Sequence, residues 1–513
     1  MKLLNSKIIR LLRKCFLIFV LGGFYLKTIA PDLTWVNNGA DGGDLITAAA
    51  TGGVAHPTGY PVYLFVARLF QFIPIGSIAY RTNLLSAFCT ILAAIILYDL
   101  VVRFLDSTNY NWLVGLIAAF AFGLSQLVWS QAVITEVYAL QSLFIVLILY
   151  LLPLGEYKFR LEGDKLDSIR GLVFGLAMGN HTTAIFLLPP LLLVGVVNRN
   201  PTNKVSILAG NKNREYLQGW SINYRALLIR CTWILVGLSF YLTLFIRANS
   251  GSPVNWGNPS NLKNFIWLVT GKIYENLLFN FPYGFFLIKF KTWGSILLNQ
   301  LGIIGLAIAI FGLIFNWKRS TKLLIVTGWM IAAFGLFSFI YNSTDSFVYL
   351  IFAVIALVLW LSLGIAKIIE VTKSFKPWLG IVFGFLFLTY FIGYGLQTLP
   401  KVDASLDNHA EQFGNDVMLK APDRSIIFTD GDKDSFSLWY FQYVLNKRPD
   451  IAIIVTNLLP YPWYRETVRK TYLYLSVPDG KTNSWQSDFI KANPNRPICY
   501  TIVINEGSIS CER

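Results

Sequence analysis

Long apolar segments alternate with short basic loops along almost the whole chain. The 513 residues are 55% hydrophobic and 14% charged, whereas a soluble domain averages about 25% charged residues. This alternation predicts a polytopic transmembrane helical bundle. The net charge of +15 comes from Lys and Arg residues that are spread between the apolar segments. Because nucleic-acid binding requires basic residues gathered on one soluble face, we do not expect it.

The distribution of basic residues predicts the orientation of the bundle. Five of them, Lys2 to Lys14, precede the first apolar run, which places the N-terminus in the cytoplasm. About eleven crossings follow from this start, which puts the C-terminus outside. The predicted crossings are residues 15–26, 83–102, 112–129, 137–152, two short arms within 171–197, then 231–246, 296–315, 323–340, 347–366 and 379–396.

The stretch 171–197 cannot be a single span because both of its flanks are basic and therefore cytoplasmic. We expect two short arms that turn near residues 179–182, at His181. Each arm is shorter than the roughly 20 residues that a span needs. The turn should therefore be buried in protein or line a wet cavity, since lipid cannot satisfy its backbone.

Two large outer loops and a C-terminal domain complete the predicted organisation. Residues 1–399 form the transmembrane domain, with outer loops at 31–61 and 248–292. From residue 400 polar residues become frequent. This composition predicts that residues 400–513 form a soluble extracytoplasmic α/β domain. Its two cysteines, Cys499 and Cys511, either pair in an oxidising compartment or remain free thiols.

The first outer loop carries the strongest candidates for chemistry. Residues 38–61 contain Asp41, Asp44 and His56 but no Lys or Arg. The two acids can equally be turn residues and N-terminal caps of the helix that follows. No group of residues has metal-ligand spacing, and the acids follow a D-G-G-D pattern, so a divalent metal is disfavoured and no cofactor is expected. The other candidates, all for substrate binding, are His56, Tyr60, Arg81, Glu136, His181, Arg247 and Lys272.

Four ordered motifs between residues 30 and 290 carry a resemblance to a known family. They are NGADGGDLITAAATGGVAHPTGYPVY, VWSQAVITEVYAL, GLAMGNHTT and NWGNPSNLKNFIWLVTGKIY. Together they resemble a domain family of unknown function that includes a eukaryotic multi-pass protein O-mannosyltransferase, and through it the GT-C class of polyprenyl-phosphate-sugar glycosyltransferases. The resemblance implies a catalytic base at Asp41. Asp44 stands where the animal relatives are expected to have Glu, so the division of roles between the two acids stays open.

The resemblance also implies a reaction. A sugar, mannose or a similar hexose, passes with inversion from a polyprenyl-phosphate donor to an acceptor hydroxyl, with Ser or Thr of a protein as the expected acceptor. A carboxylate accepts the hydroxyl proton, and Arg81, Arg247 or Lys272 holds the lipid phosphate. The protein is expected in the plasma (inner) membrane, with its site on the outer face and with protein, lipid or glycan acceptors.

Two other functions, transport and non-catalytic scaffolding, predict different sequence features. A transporter or flippase of lipid-linked sugar or small solute would predict inverted repeats and broken helices near mid-membrane. The sequence has one predicted hairpin of this kind but no repeat. A non-catalytic scaffold would leave the concentration of ionisable residues on the outer side unexplained.

Overall fold

The computed structural model describes residues 2–105, 110–155, 162–203, 216–280, 283–318, 320–479, 484–503 and 508–512. Residues 281 and 282 of the predicted second outer loop, and 480–483, 504–507 and 513 of the predicted C-terminal domain, lie outside these ranges. The first helices are α1 (Lys2–Thr28), α2 (Gly42–Thr51), α3 (Pro61–Gln71), α4 (Ile78–Phe104), α5 (Asn111–Gly123), α6 (Gln126–Ala132), α7 (Tyr138–Leu151), α8 (Asp164–Asn180), α9 (Leu188–Leu193) and α10 (Tyr224–Leu238). They are followed by α11 (Thr243–Ala248), α12 (Leu262–Val269), α13 (Phe286–Phe315), α14 (Thr321–Ile340), α15 (Ile351–Phe375), α16 (Pro377–Val402), α17 (His409–Lys420), α18 (Asp432–Trp439), α19 (Pro462–Thr471) and α20 (Trp485–Lys491).

Six helical segments in the described ranges are long and apolar enough to span a membrane: α4, α10 with α11, α13, α14, α15 and α16. The pair α5 and α6, bent by 68°, would make a seventh. The predicted polytopic helical bundle is therefore confirmed, although fewer than eleven segments meet the length and composition of a span. The other predicted crossings fall on α1, which is basic over its first half, and on α7, α8 and α9, which are short.

Glycines allow the closest helix contacts in the bundle. A Cβ atom on Gly175 of α8 would lie 2.4 Å from the carbonyl oxygen of Ile234 in α10. A Cβ atom on Gly312 of α13 would lie 2.1 Å from the carbonyl oxygen of Trp360 in α15. Small residues at such positions let two backbones touch, which is how helices associate in lipid. The central helix α15 is almost entirely buried by these neighbours.

The predicted turn in the stretch 171–197 is present, and a buried ion cluster supports it. Helix α8 ends at Asn180, His181 is extended, and a 3₁₀ segment, Thr182–Leu187, leads into α9. At the other end of α8, one carboxylate oxygen of Asp167 accepts hydrogen bonds from Arg170 and Arg230, each at 2.8 Å. Arg230 also donates to the carbonyl oxygens of Leu191 and Val194. The cluster thereby fixes α9 to α8 and α10.

The C-terminal part contains a four-stranded sheet built from β3 (Ile426–Thr429), β4 (Ala452–Val455), β5 (Ile498–Thr501) and β6 (Ile509–Glu512), in the order β4-β3-β5-β6. A separate antiparallel pair, β1 (Val197–Asn203) and β2 (Tyr216–Ile222), follows α9. Strand β3 pairs in parallel with β4 and β5, and β6 is antiparallel to β5. Cys499 and Cys511 face each other across β5 and β6 and form a disulfide, which decides between the two alternatives for these cysteines. The domain division at 399/400 stays a prediction, and α16 runs on to Val402.

The C-terminal part packs directly on the first outer loop. Trp35 Nε1 donates to Ser437 Oγ at 3.0 Å, and α2 lies against α18 at Gly43. Asp407, which follows α16, accepts hydrogen bonds from the hydroxyl of Thr34 and from the backbone N–H groups of Trp35 and Val36. These contacts fix the chain just before Asp41.

Replacing Gly43 by Ala is expected to separate α2 from α18, because the new Cβ atom would lie 2.5 Å from the carbonyl oxygen of Phe436. Overpacking of this kind costs about 1–3 kcal/mol, so the melting temperature of the purified protein should fall. The neighbouring substitution Gly42→Ala is the control, since its Cβ atom would meet Thr135 at an ordinary 3.4 Å. Equal melting temperatures for the two variants would contradict the tight contact.

Candidate functional site

A cavity of about 1090 Å³ lies between the helical bundle and the C-terminal part. Most of its lining comes from the first outer loop, the turn at His181, the segment after α12, the connection between α14 and α15, and the loop that leads into α18. Tyr138, Trp256, Thr501 and Val503 complete it. The cavity therefore brings together polar side chains that are far apart in sequence, from Asp41 to Asp432.

Asp41 presents its carboxylate to this cavity. It ends a short 3₁₀ segment, Val36–Asp41, in which Asn37 and Asn38 adopt positive φ angles of 58° and 62°; Asn tolerates this conformation better than most residues. Asp41 occupies the N-cap position of α2 but makes no capping hydrogen bond. A third of its side chain is exposed, and its Oδ2 lies 3.6 Å from Nε2 of His56. The carboxylate is thus available to a molecule in the cavity.

Asp44 has a different environment. Its side chain is fully buried and does not line the cavity. One carboxylate oxygen accepts from the backbone N–H of His56 at 2.9 Å and from Nδ1 of the same residue at 2.7 Å. The other accepts from Nε1 of Trp256 at 2.9 Å. Asp44 therefore orients the His56 ring and directs Nε2 towards Asp41.

The charges of this group influence one another. Burial disfavours the charged imidazole, but the carboxylate of Asp41 and the hydrogen bond to Asp44 outweigh it and raise the pKa of His56. Burial also raises the pKa of Asp41, and the charge of His56 offsets this only in part. An aspartate with a raised pKa is a stronger base than an exposed one, which suits it to accept a proton near neutral pH.

Four neighbouring rings that line the cavity are called the aromatic floor here: Tyr60, Tyr138, His181 and Tyr349. The His181 ring centroid lies 5.8 Å from that of Tyr60 and 5.7 Å from those of Tyr138 and Tyr349. Tyr60 also contacts the ring of His56, at 5.0 Å. The sequence-predicted residues Asp41, His56, Tyr60 and His181 are therefore brought together in one cavity.

The three predicted cations separate into two groups. Arg81 donates to the carbonyl oxygens of Gln71, Ile75 and Gly76. Arg247 donates to that of Gly53 at 3.0 Å. Neither of the two lines the cavity, and both stabilise backbone turns. Lys272 does line the cavity, where it pairs with Glu275.

Glu136 is buried and does not line the cavity either. Its Oε2 accepts from the backbone N–H of Val137 at 3.3 Å, immediately before α7. Burial raises the pKa of Glu136, and the charge of Asp41 raises it further. Its contacts are those of a residue that stabilises the start of α7.

Several residues of the site were not singled out from the sequence. Trp256 holds Asp44, and the ring of Phe436 stacks on His56 with centroids 6.3 Å apart. Trp256 lies within the fourth sequence motif, which could have indicated it. Phe436 lies outside all four motifs, so nothing in the sequence indicated it. Across the described residues no three His, Cys, Asp or Glu side chains group to hold a metal ion. Metal independence stays a prediction.

Two family models match the chain. The model described as the protein O-mannosyl-transferase TMEM260 N-terminal domain matches residues 41–204. The TMEM260-associated domain 2 matches residues 410–502. The first match begins at Asp41, and the second includes the loop before α18 that lines the cavity.

Curated relatives match over most of the chain. The Mus musculus protein O-mannosyl-transferase TMEM260 is 27% identical over 515 residues, which cover 91% of this chain and 68% of the mouse protein. The Dictyostelium discoideum protein O-mannosyl-transferase tmem260 is 25% identical over 529 residues, which cover 90% of this chain and 60% of that protein. This chain thus spans about two thirds of the length of these relatives. The matches confirm the resemblance.

Solved structures share the fold. The crystal structure of ArnT from Cupriavidus metallidurans in the apo state superimposes with a TM-score of 0.56 at 10% identity, covering 97% of this chain and 93% of ArnT. The structure of the same protein bound to undecaprenyl phosphate gives a TM-score of 0.56 at 10% identity, covering 98% and 97%. ArnT is a GT-C glycosyltransferase, so the predicted GT-C fold is confirmed.

Proposed function

Because this chain is a glycosyltransferase of GT-C fold that matches both TMEM260 domain models, we propose that it transfers a hexose from a polyprenyl-phosphate donor to a hydroxyl group of an acceptor. The sugar is mannose or one similar to it, and the acceptor is Ser or Thr of a protein. These two details rest on the names of the curated relatives, protein O-mannosyl-transferases. A polyprenyl donor is supported by the ArnT structure that binds undecaprenyl phosphate.

The observation that carries this proposal is the cavity position of Asp41 beside His56. The acceptor hydroxyl gives its proton to Asp41 as its oxygen attacks the anomeric carbon of the sugar. The bond from that carbon to the phosphate oxygen breaks, and its electron pair leaves with the lipid phosphate. Two lysines line the cavity, Lys272 and Lys433, and Lys272 is the one that we assign to offset the charge of this phosphate. A single displacement inverts the configuration at the anomeric carbon.

Asp44 acts as a positioning residue in this mechanism. Its two oxygens hold His56 and Trp256, so it cannot accept a proton from a hydroxyl in the cavity. The charged His56 ring holds Asp41 in its ionised form between turnovers. This arrangement divides the predicted catalytic pair into one base and one residue that acts through His56.

The orientation in the membrane forms part of the proposal. The cavity and the C-terminal part face outwards from the plasma membrane, and the N-terminus lies in the cytoplasm. The disulfide between Cys499 and Cys511 supports an oxidising location for the C-terminal part. Leu278, an exposed apolar residue in the cavity lining, and the adjoining exposed Phe279 offer the polyprenyl chain an apolar path.

Reconstitution in liposomes tests the proposal. Purified protein is supplied with polyprenyl-phosphate mannose and a Ser/Thr-rich peptide, and mass spectrometry follows the mass of the peptide. We expect one hexose to be added, with the anomeric configuration opposite to that of the donor when NMR reads it. Movement of donor across the bilayer without a glycosylated product would instead support a flippase.

The pH dependence of the reaction should report Asp41. Burial raises the pKa of Asp41 to about 7, so kcat/KM should rise with pH through that region as the base ionises. His56→Gln removes the positive charge that lowers the pKa of Asp41, and the acidic limb should move to higher pH. The position of this limb does not depend on the amount of active protein. His409→Gln is the matched control, because it replaces an exposed His that pairs with Asp407. If the acidic limb of the kcat/KM profile stays at the same pH in His56→Gln, that result argues against Asp41 as the base.

A further inference from the structure

One ring nitrogen of His181 has no hydrogen-bond partner among the residues that the structure describes. Nδ1 accepts a hydrogen bond from the backbone N–H of Thr183 at 3.2 Å and lies 2.8 Å from the hydroxyl of the same residue. A nitrogen that accepts from a backbone N–H carries no proton, so in the neutral ring the hydrogen is on Nε2. In the described part of the chain no acceptor lies within hydrogen-bonding distance of Nε2. The residue retains 6% exposure and lines the cavity.

The tyrosines of the aromatic floor supply apolar surface around this donor. Tyr60, Tyr138 and Tyr349 each keep 7–8% of their surface exposed, and each lines the cavity. Tyr138 and Tyr349 meet edge to face, with their planes at 84° and their centroids 5.7 Å apart. Aromatic faces carry negative potential, which attracts the polarised C–H groups on one side of a sugar ring. The floor therefore offers flat apolar contact and one directed N–H donor.

The apolar rings and the single N–H donor of the floor suit only one of the three parts of the lipid donor, which are the isoprenoid chain, the phosphate and the sugar. An isoprenoid chain on the floor would leave the N–H of His181 unpaired, which costs free energy when the group is buried. A phosphate group would need a positive charge, and none of the four floor residues is a Lys or Arg. A pyranose ring matches both features, since it has an apolar C–H face and hydroxyl groups at its edge.

The floor is also next to the proposed base. Tyr60 contacts the ring of His181 on one side and the ring of His56 on the other, at 5.8 Å and 5.0 Å. His56 in turn pairs with Asp41. A sugar held on the floor is therefore one aromatic ring away from the pair that receives the acceptor proton.

We propose that the aromatic floor is the subsite for the transferred sugar, and that Nε2–H of His181 donates to one of its oxygens. His181 is then a specificity-determining residue, and Tyr349 forms an apolar wall of the subsite. This inference rests on the proposed function, because it assumes a sugar-bearing lipid donor.

The test measures binding without turnover. In the Asp41→Asn background, affinities for undecaprenyl-phosphate mannose and for undecaprenyl phosphate are compared by intrinsic fluorescence. The parent should bind the sugar-bearing lipid more tightly, and His181→Phe should lose between about twofold and tenfold of this preference, the contribution of one hydrogen bond. Its affinity for the sugar-free lipid should not change, which shows that the variant is folded. His181→Gln, which restores an N–H donor, should recover part of the preference.

Further variants and ligands keep the test decisive. Tyr349→Leu should reduce the same preference by removing one wall. In a series of monodeoxy donors, the parent should bind one compound between about twofold and tenfold more weakly than the full sugar, because that compound lacks the oxygen that His181 contacts. If His181→Phe binds neither lipid, the Tyr349→Leu variant and the monodeoxy series decide the test. An undiminished preference in both His181→Phe and Tyr349→Leu overturns the subsite, as does a parent without any preference. Transfer activity of Asp41→Asn itself is scored separately, and full activity there would overturn the proposed function instead.

Discussion

Replacing Asp41 by Asn is expected to abolish glycosyl transfer, with kcat reduced by about 10²- to 10⁴-fold, the usual contribution of a general base. Asn has nearly the same shape but cannot accept the proton of the acceptor hydroxyl. The measurement is the initial rate of peptide glycosylation in liposomes at saturating donor. The cavity should stay intact, because Asp41 makes no capping hydrogen bond that the substitution would remove.

Two other variants make this result specific. Asp416→Asn, at a surface pair with Lys420, is the matched control and should retain full activity. Asp44→Asn should lose less transfer activity than Asp41→Asn, because Asp44 acts only through the position of His56. We expect a loss on the order of 10- to 100-fold, as for other residues that orient a functional side chain. If Asp44→Asn were inactive and Asp41→Asn were active, the roles assigned to the two acids would have to be exchanged.

Removing the carboxylate of Asp167 is expected to give the largest loss of stability. Asp167→Ala leaves the guanidinium groups of Arg170 and Arg230 buried without their anion, since Arg230 is completely buried. Breaking a buried ion pair from one side costs about 3–5 kcal/mol. The melting temperature of the detergent-solubilised protein, followed by tryptophan fluorescence, should fall accordingly.

Asp164→Ala is the matched control, because it lies one turn earlier on α8. Asp164 also pairs with an arginine, Arg225, but the two side chains are 50% and 78% exposed. Such surface pairs contribute about 0–1 kcal/mol. Similar melting temperatures for Asp164→Ala and Asp167→Ala would show that burial of the ion cluster contributes little.

The bundle was predictable because membrane insertion leaves a strong trace in the sequence. Apolar length and the placement of Lys and Arg were enough to identify α4, α13, α14, α15 and α16. The same reasoning found the turn at His181, since a stretch with two basic flanks must return to its starting side. It also predicted crossings at α7, α8 and α9, which are shorter than the usual length of a span. Their burial depends on neighbouring helices, which local composition does not encode.

Within the site, the sequence indicated which residues lie together better than it indicated the contacts that each of them makes. Asp41, His56 and His181 were predicted and share one cavity. Arg81 and Arg247 were predicted as phosphate ligands, but their guanidinium groups bind backbone carbonyls. An Arg near an outer loop looks the same in the sequence whether it binds a phosphate or backbone carbonyl groups. Phe436 could not be found because its contact with His56 joins residues that are 380 positions apart.

The contact between Phe436 and His56 has a consequence for the synthesis of the protein. Every residue of the bundle up to α16 leaves the ribosome before the loop into α18, which forms one side of the cavity. Asp41, the proposed base, is among the first residues made, yet its surroundings are completed by some of the last. During translation the membrane therefore contains a bundle without a finished binding site. If the proposed function is right, we expect a nascent chain to leave lipid-linked sugar unused until its C-terminal part has been made and has docked.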